Sequence, residues 1–236
     1  MPQTKGVFIV FEGIDGSGKA TQTNLLFDYF KKQGKEVVKI DFPQHGEKSS
    51  GLVDEYLTGK YGQANEVGPY IASIFYACDR YDASFKIRKW LEEGKVVIAD
   101  RYLASNIGHQ GGKIKDEKQR EAYIDWLYKF EYGLFKIPKP TKTIILKTSP
   151  EYSLKLSNQI TNEEKIQKRK AYLGDDKKQD IHEQDQAHLK NTLFAYLEAA
   201  EKYPADFAVI DCLNEQSQLL PPEVIHQKVV EQIKNP

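Results

Sequence analysis

Apolar positions gather into short runs along this chain: Val7 to Phe11, Val37 to Phe42, Val96 to Ala99, Thr143 to Leu146 and Phe207 to Ile210. Their length suits strands, and the segments between them carry a helical period. Thr21 to Lys32 places Leu25, Leu26, Tyr29 and Phe30 on one face and stops before Gly34, a residue suited to a helix end. A further helix is predicted over Tyr81 to Glu93, ending at Gly94. Gly51 to Asp79 also reads as helical, with a break around Lys60 to Pro69. Strands alternating with helices predict an α/β fold, a parallel sheet covered on both faces, with ligands at the carboxyl ends of its strands. No internal repeat or low-complexity linker interrupts the chain, so residues 1–236 read as a single domain.

Charge narrows the possible partners. Lys plus Arg and Asp plus Glu both number 34 in the 236 residues, so no global basic field recruits a polynucleotide and any anion site must be built from local cations. No apolar run approaches the roughly 20 residues that span a bilayer, and Met1 to Gly6 lacks a charged n-region followed by an apolar h-region. The expectation is a soluble, cytoplasmic protein. Cys78 and Cys212 lack ligand or disulfide spacing and read as buried free thiols. The five histidines show no zinc spacing. One stretch, Asn158 to Asp180, is mostly charged or polar and includes Lys168, Arg169 and Lys170. It reads equally as a solvated surface segment or as a mobile lid that excludes water during group transfer.

The most specific local signal is Gly13-Ile14-Asp15-Gly16-Ser17-Gly18-Lys19, lying between the first apolar run and a helical segment. That is the context of a phosphate-binding P-loop: backbone N–H groups and the helix N-terminus face the phosphates, and Lys19 adds a cation. Gly13, Asp15, Gly16, Ser17, Gly18, Lys19, Ala20 and Thr21 are the predicted ATP-binding positions. Position 20 departs from the pattern, because the usual metal-touching hydroxyl is replaced by Ala20, with Thr21 one place later. Mg2+ would then be held largely through water and carboxylates. Val96-Val97-Ile98-Ala99-Asp100 is an apolar strand ending in such a carboxylate, with Arg101-Tyr102 next.

Phe11-Glu12-Gly13-Ile14-Asp15, Phe42-Pro43, Asp79-Arg80 and Asp100-Arg101-Tyr102-Leu103-Ala104-Ser105-Asn106 with Gln110 together resemble the thymidylate kinase family, in order along the chain. The resemblance implies a P-loop NTPase fold with a five-stranded parallel sheet, a lid at about 158–181, and a homodimer. It implies transfer of the ATP γ-phosphoryl group to dTMP with Mg2+. Lys19, Asp15, Arg101 and the lid residue Arg169 would act in catalysis, and Asp15, Asp100 and Glu183 would serve the metal. Asp15, Phe42, His45, Tyr76, Arg80, Arg101, Ser105, Asn106, His109 and Gln110 would bind dTMP, with Tyr76 stacking on the base and the forks of Arg80 and Arg101 on the acceptor phosphate.

Several positions depart from the family pattern. Gln44 and His45 stand where an Arg or Tyr is frequent after Phe42-Pro43, and His109 stands where a Tyr is common. Gly16 leaves the P-loop without the cation one subtype carries, so the lid's Lys168-Arg169-Lys170 would supply it. Competing assignments are a kinase for another nucleoside monophosphate, such as dUMP, and a module that senses ATP without transferring phosphate. The bland alternatives are core packing for Tyr76 beside Phe75, and ion pairs of Arg80 or Arg101 with Asp79 or Asp82.

Overall fold

The computed structural model describes residues 6–153 and 186–234. Its sheet has five strands, β1 (Val7–Glu12), β2 (Val37–Asp41), β3 (Val96–Asp100), β4 (Lys142–Lys147) and β5 (Phe207–Asp211), in the spatial order β2-β3-β1-β4-β5. Every pairing is parallel. Each predicted apolar run is a strand, shifted at its ends by a residue at most. Successive residues face opposite sides of a strand, and the core divides accordingly. Phe8, Val10, Val97, Ala99 and Ile145 enter one buried cluster, while Ile9, Phe11, Ile98, Ile144 and Leu146 enter the other.

Helices cover both faces. α1 (Lys19–Lys32) and α8 (Pro222–Lys234) close the second cluster with Leu26, Ile225 and Val229. The first is closed by α4 (Pro69–Glu92), α5 (Ala104–His109), α6 (Glu117–Leu127) and α7 (Gln186–Lys202), through Ile87, Ile107, Ile124 and Tyr196. Short helices α2 (Gly51–Leu57) and α3 (Ala64–Val67) precede α4. The helix predicted to begin at Tyr81 is the second half of α4. Its first half is the helical stretch read between the break at Pro69 and Asp79; Pro69 at its first turn and Gly68 before it set the start, and Ala72, Ser73, Ala77 and Arg80 are buried along its length. Lys95 N–H reaches the Trp90 carbonyl at 3.0 Å around Gly94, whose φ of 77° ends the helix as expected. After α6 the chain adopts a π-helix over Tyr128–Leu134. Both thiols are free, but only Cys212 is buried; Cys78 is half-buried on α4. No helix among the described residues is long and apolar enough to cross a membrane.

Because β3 and β1 are adjacent, with Phe11 opposite Asp100, the segments leaving both strands emerge side by side. The chain runs from β1 to β2 on one side of the sheet and later to β4 on the other. The crevice beside β1 is therefore the ligand position of an open α/β sheet.

Candidate active site at the carboxyl ends of β1 and β3

The Gly13–Lys19 loop folds as its glycines require. Gly13 has a φ of 142°, and a Cβ there would meet Ser17 Oγ at 2.7 Å and the Leu146 carbonyl at 2.8 Å. Gly18, at φ 89°, precedes α1 without any side-chain cap, and no acidic residue occupies the first turn. The N–H groups and positive dipole end of α1 are thus left for an anion. Lys19 is folded back on the loop, donating to the carbonyls of Gly13 at 3.0 Å and Ile14 at 2.9 Å. Burial, reinforced by Arg101, pulls its ammonium down to about 8 against the opposing pull of Asp100, Asp15 and Glu12. Thr21 is exposed, whereas the Oγ atoms of Ser17 and Thr23 are buried without partners.

Arg101 stands directly after β3 at φ 72°, a conformation that costs an L-residue energy and that its N–H bond to the Phe11 carbonyl, 2.9 Å, holds in place. Its guanidinium reaches Asp15 Oδ1 at 2.5 Å and His109 Nε2 at 2.9 Å, with Ser105 Oγ and the Gly13 carbonyl each at 3.4 Å. Burial works against the Asp15 carboxylate, but the cations Arg101 and Lys19 overcome it and hold that carboxyl well below its usual range. Arginine has no acceptor, so His109 Nε2 must be the unprotonated nitrogen in this contact, with Nδ1 3.3 Å from His188 Nε2. Asp100 lies at the end of β3 and interacts electrostatically with both Lys19 and Arg101.

Glu12, at the end of β1, was not among the predicted site residues, although it lies in the quoted motif. It is fully buried and accepts from Tyr102 N–H at 2.8 Å, Ser105 Oγ at 2.7 Å and Tyr196 OH at 2.8 Å. Burial raises its pKa, and Arg101 and these three donors oppose the rise. Ser105 therefore faces Glu12 and Arg101, not the base side on which it was expected.

The assignment of Arg80 changes most. Its Nε and Nη2 form a bidentate pair with Glu131 at 2.6 and 2.7 Å, and Nη1 lies 3.3 Å from the Tyr102 carbonyl. Both side chains are buried, at 2% and 0% exposure, so the fork expected on the acceptor phosphate is committed to a carboxylate. Asp79, offered as an alternative partner, instead accepts from Gln44 N–H at 2.9 Å, Gln44 Nε2 at 3.1 Å and Ser49 Oγ at 2.7 Å. Glu131 gave no local signal: it is 51 residues from Arg80 and sits in an aromatic segment that the π-helix turns inward.

Asn106 is buried, its Nδ2 3.3 Å from the Ser73 carbonyl and 3.5 Å from Glu131 Oε1. Tyr76 is half-buried and meets Tyr56 edge to face with centroids 6.3 Å apart. Gln110 accepts at Oε1 from Lys113, 2.7 Å away. Phe42 is a core residue packed on Tyr102, with centroids 5.4 Å apart, so its ring is not presented to a ligand. His45 is held by Asp54 at 2.5 Å, which ties the predicted phosphate donor to α2. Arg169, Glu183 and the predicted lid at 158–181 lie outside the described residues.

A glycine loop that opens an uncapped helix after the central strand of a parallel β2-β3-β1-β4-β5 sheet defines a P-loop nucleotide-binding fold. The family model for thymidylate kinase matches residues 11–219, and the chain belongs to the thymidylate kinase family. The Sulfurihydrogenibium sp. thymidylate kinase is 30% identical over 231 residues, 97% of each chain. The Mycobacterium tuberculosis thymidylate kinase is 31% identical over 147 residues, 61% of this chain and 67% of that enzyme. The structure of Candida albicans thymidylate kinase, described there as revealing the origin of broad substrate specificity, superposes with a TM-score of 0.67 at 25% identity, over 98% of this chain and 92% of that one.

Proposed function

We propose that this kinase transfers the γ-phosphoryl group of ATP to dTMP, giving dTDP and ADP. The observation that carries this reading is the convergence of Lys19, Asp15 and Arg101 where the segments after β1 and β3 meet. ATP would lay its outer phosphates along the N–H groups of the loop and the uncapped start of α1. Lys19 would exchange the carbonyls of Gly13 and Ile14 for phosphate oxygens, a better match for a buried ammonium. Arg101, held at the boundary between the donor and acceptor sides, would direct Nη1 to the acceptor phosphate while Nη2 stays on Asp15. An oxygen of that phosphate then attacks the γ-phosphorus and ADP leaves, so no covalent enzyme intermediate forms. Such a step depends on position and electrostatics, which fixed cations supply.

The donor set suits a magnesium ion carried in on nucleotide phosphates. Asp100 and Asp15 are hard oxygen ligands, the buried Ser17 Oγ has no protein partner, and no cluster of three or more metal-ligating side chains occurs among the described residues. Magnesium commonly uses one or two carboxylates with water and phosphate, where it neutralises phosphate charge. Asp15, kept ionised by its cations, would accept from the sugar hydroxyl. Tyr76, Asn106 and Gln110 would meet the base, and Arg80, locked to Glu131, would shape the base side rather than grip phosphate. A homodimer belongs to the same proposal, for which the exposed Tyr81 and Phe85 of α4 offer apolar surface. Coupled ADP release from Mg-ATP with dTMP as acceptor tests the reading, and absence of ADP formation by the folded protein overturns it.

A further inference from the structure

A short 3₁₀ turn, Gly111–Lys113, follows α5 and folds Lys113 back over Gln110, with the Lys113 N–H on the Gln110 carbonyl at 3.1 Å. Lys113 Nζ lies 2.7 Å from Gln110 Oε1 and 3.1 Å from the hydroxyl of Tyr56, the residue whose ring abuts Tyr76. No carboxylate among the described residues pairs with this ammonium, and burial lowers it to about 8. A lysine partly removed from water without a counter-ion is an expensive arrangement. Its two oxygen partners, both belonging to buried residues, point to a positioning task.

A protonated lysine has three donors and no acceptor. Gln110 must therefore turn its carbonyl oxygen to Lys113, so the orientation of the amide follows from chemistry rather than from any resolved difference between oxygen and nitrogen. Gln110 is 1% exposed, and its Nε2 donates to no described residue. Its two N–H groups are thus left without a partner among the described residues.

We propose that Lys113 sets the base preference of the acceptor site by locking Gln110 as a donor, so that a ring carbonyl is accepted and an exocyclic amine at the same position is rejected. The proposal rests on the dTMP reading above and adds a residue that does not itself touch the base. A 4-oxo pyrimidine presents the required acceptor, whereas a 4-amino pyrimidine presents N–H groups to N–H groups and leaves buried donors unpaired. Without Lys113 the amide is free to flip, and the flipped form offers the amine an acceptor.

The test compares kcat/KM for dTMP and dCMP in wild type, Lys113→Met and Lys113→Arg. Lys113→Met should cut the dTMP preference at least about 10-fold, mainly through KM and partly by a gain for dCMP, and Lys113→Arg, also a pure donor, should retain it. A second arm uses wild type alone, so it stands even if Lys113→Met does not fold. As pH rises from 7 to 9 the lysine loses its proton and gains an acceptor lone pair, and the preference should relax; the Tyr56 hydroxyl is the titratable group in direct contact with it. The ionisation of the acceptor phosphate is common to both substrates and cancels in the ratio. An unchanged ratio in folded Lys113→Met, equal losses for both acceptors, or a pH-independent wild-type ratio overturns the role of Lys113. If wild type phosphorylates neither acceptor, the dTMP reading fails instead.

Discussion

At the loop between β1 and α1, Asp15, Lys19 and Arg101 stand among backbone at positive φ, and the start of α1 has no cap. At the other end of the site, Arg80 is sealed against Glu131 with both arms of its fork, and the neighbouring contacts are amides, hydroxyls and aromatic edges. The first region retains unsatisfied donors, an exposed edge and local strain. The second is already paired and shaped. A highly charged ligand can be met by groups that trade weak internal partners for it, whereas recognition of a neutral ring depends on groups fixed before it arrives. Stability and activity should therefore respond in opposite ways at the two ends.

The largest effect should come from Glu131→Gln. Leaving the buried Arg80 cation without its carboxylate should cost about 3 to 5 kcal/mol in urea unfolding, compared with about 1 to 2 kcal/mol for Asp15→Asn, whose pair with Arg101 is only partly buried, at 29% and 16% exposure. Equal losses would erase the distinction between a sealed and a partly buried pair. Next, Lys19→Met should slow single-turnover transfer about 10² to 10³-fold while the fold persists, because the lysine's gain is realised on phosphate. Near wild-type transfer by the folded variant would remove Lys19 from the chemistry.

The same variant should be more stable than wild type at pH 7, by about 1 to 3 kcal/mol. The sign follows from burial, which holds Lys19 at about 8 in the folded chain against about 10.4 unfolded. The folded state then binds fewer protons across that interval. The penalty is complete below about pH 8 and fades as pH climbs toward about 10.4, where the two proteins should converge. Paired urea titrations at pH 7 and pH 10 check it; a variant less stable at pH 7 would mean that the bonds to Gly13 and Ile14 outweigh the desolvation. The smallest effect concerns Arg101, whose φ is 72°. Both Arg101→Ala and Arg101→Gly lose the guanidinium, but glycine tolerates the backbone, so Arg101→Gly should match or exceed Arg101→Ala in stability by up to about 1 kcal/mol. A clear deficit for the glycine variant would show that the positive φ stores no strain.

The end at the Gly13–Lys19 loop was readable because its signals are local. Seven residues between a strand and a helix specify the loop, and β3 ending at Asp100 brings Arg101 beside it. The strands were equally visible as apolar runs. The end around Arg80 and Glu131 depends on pairings across long separations and on backbone forms with no compositional mark. Glu131 reaches Arg80 only because the helix after Leu127 loosens into a π turn, and Asp79, the nearer candidate, is drawn instead to Gln44 and Ser49. Phe42 ended in the core against Tyr102 and His45 on Asp54 for the same reason: these contacts form only in the folded chain, and the motifs that contain Phe42 and Tyr102 do not specify them. Ser105 carried the right spacing but turned to Glu12, whose burial at the end of β1 required donors.

Coupled ADP release from Mg-ATP, measured for wild type across dTMP, dUMP, dCMP, CMP, AMP and GMP, tests most directly whether this site phosphorylates dTMP. The account predicts the highest kcat/KM for dTMP, with AMP, GMP and CMP poor; a higher value for AMP or CMP, or no ADP release with any acceptor, would contradict it.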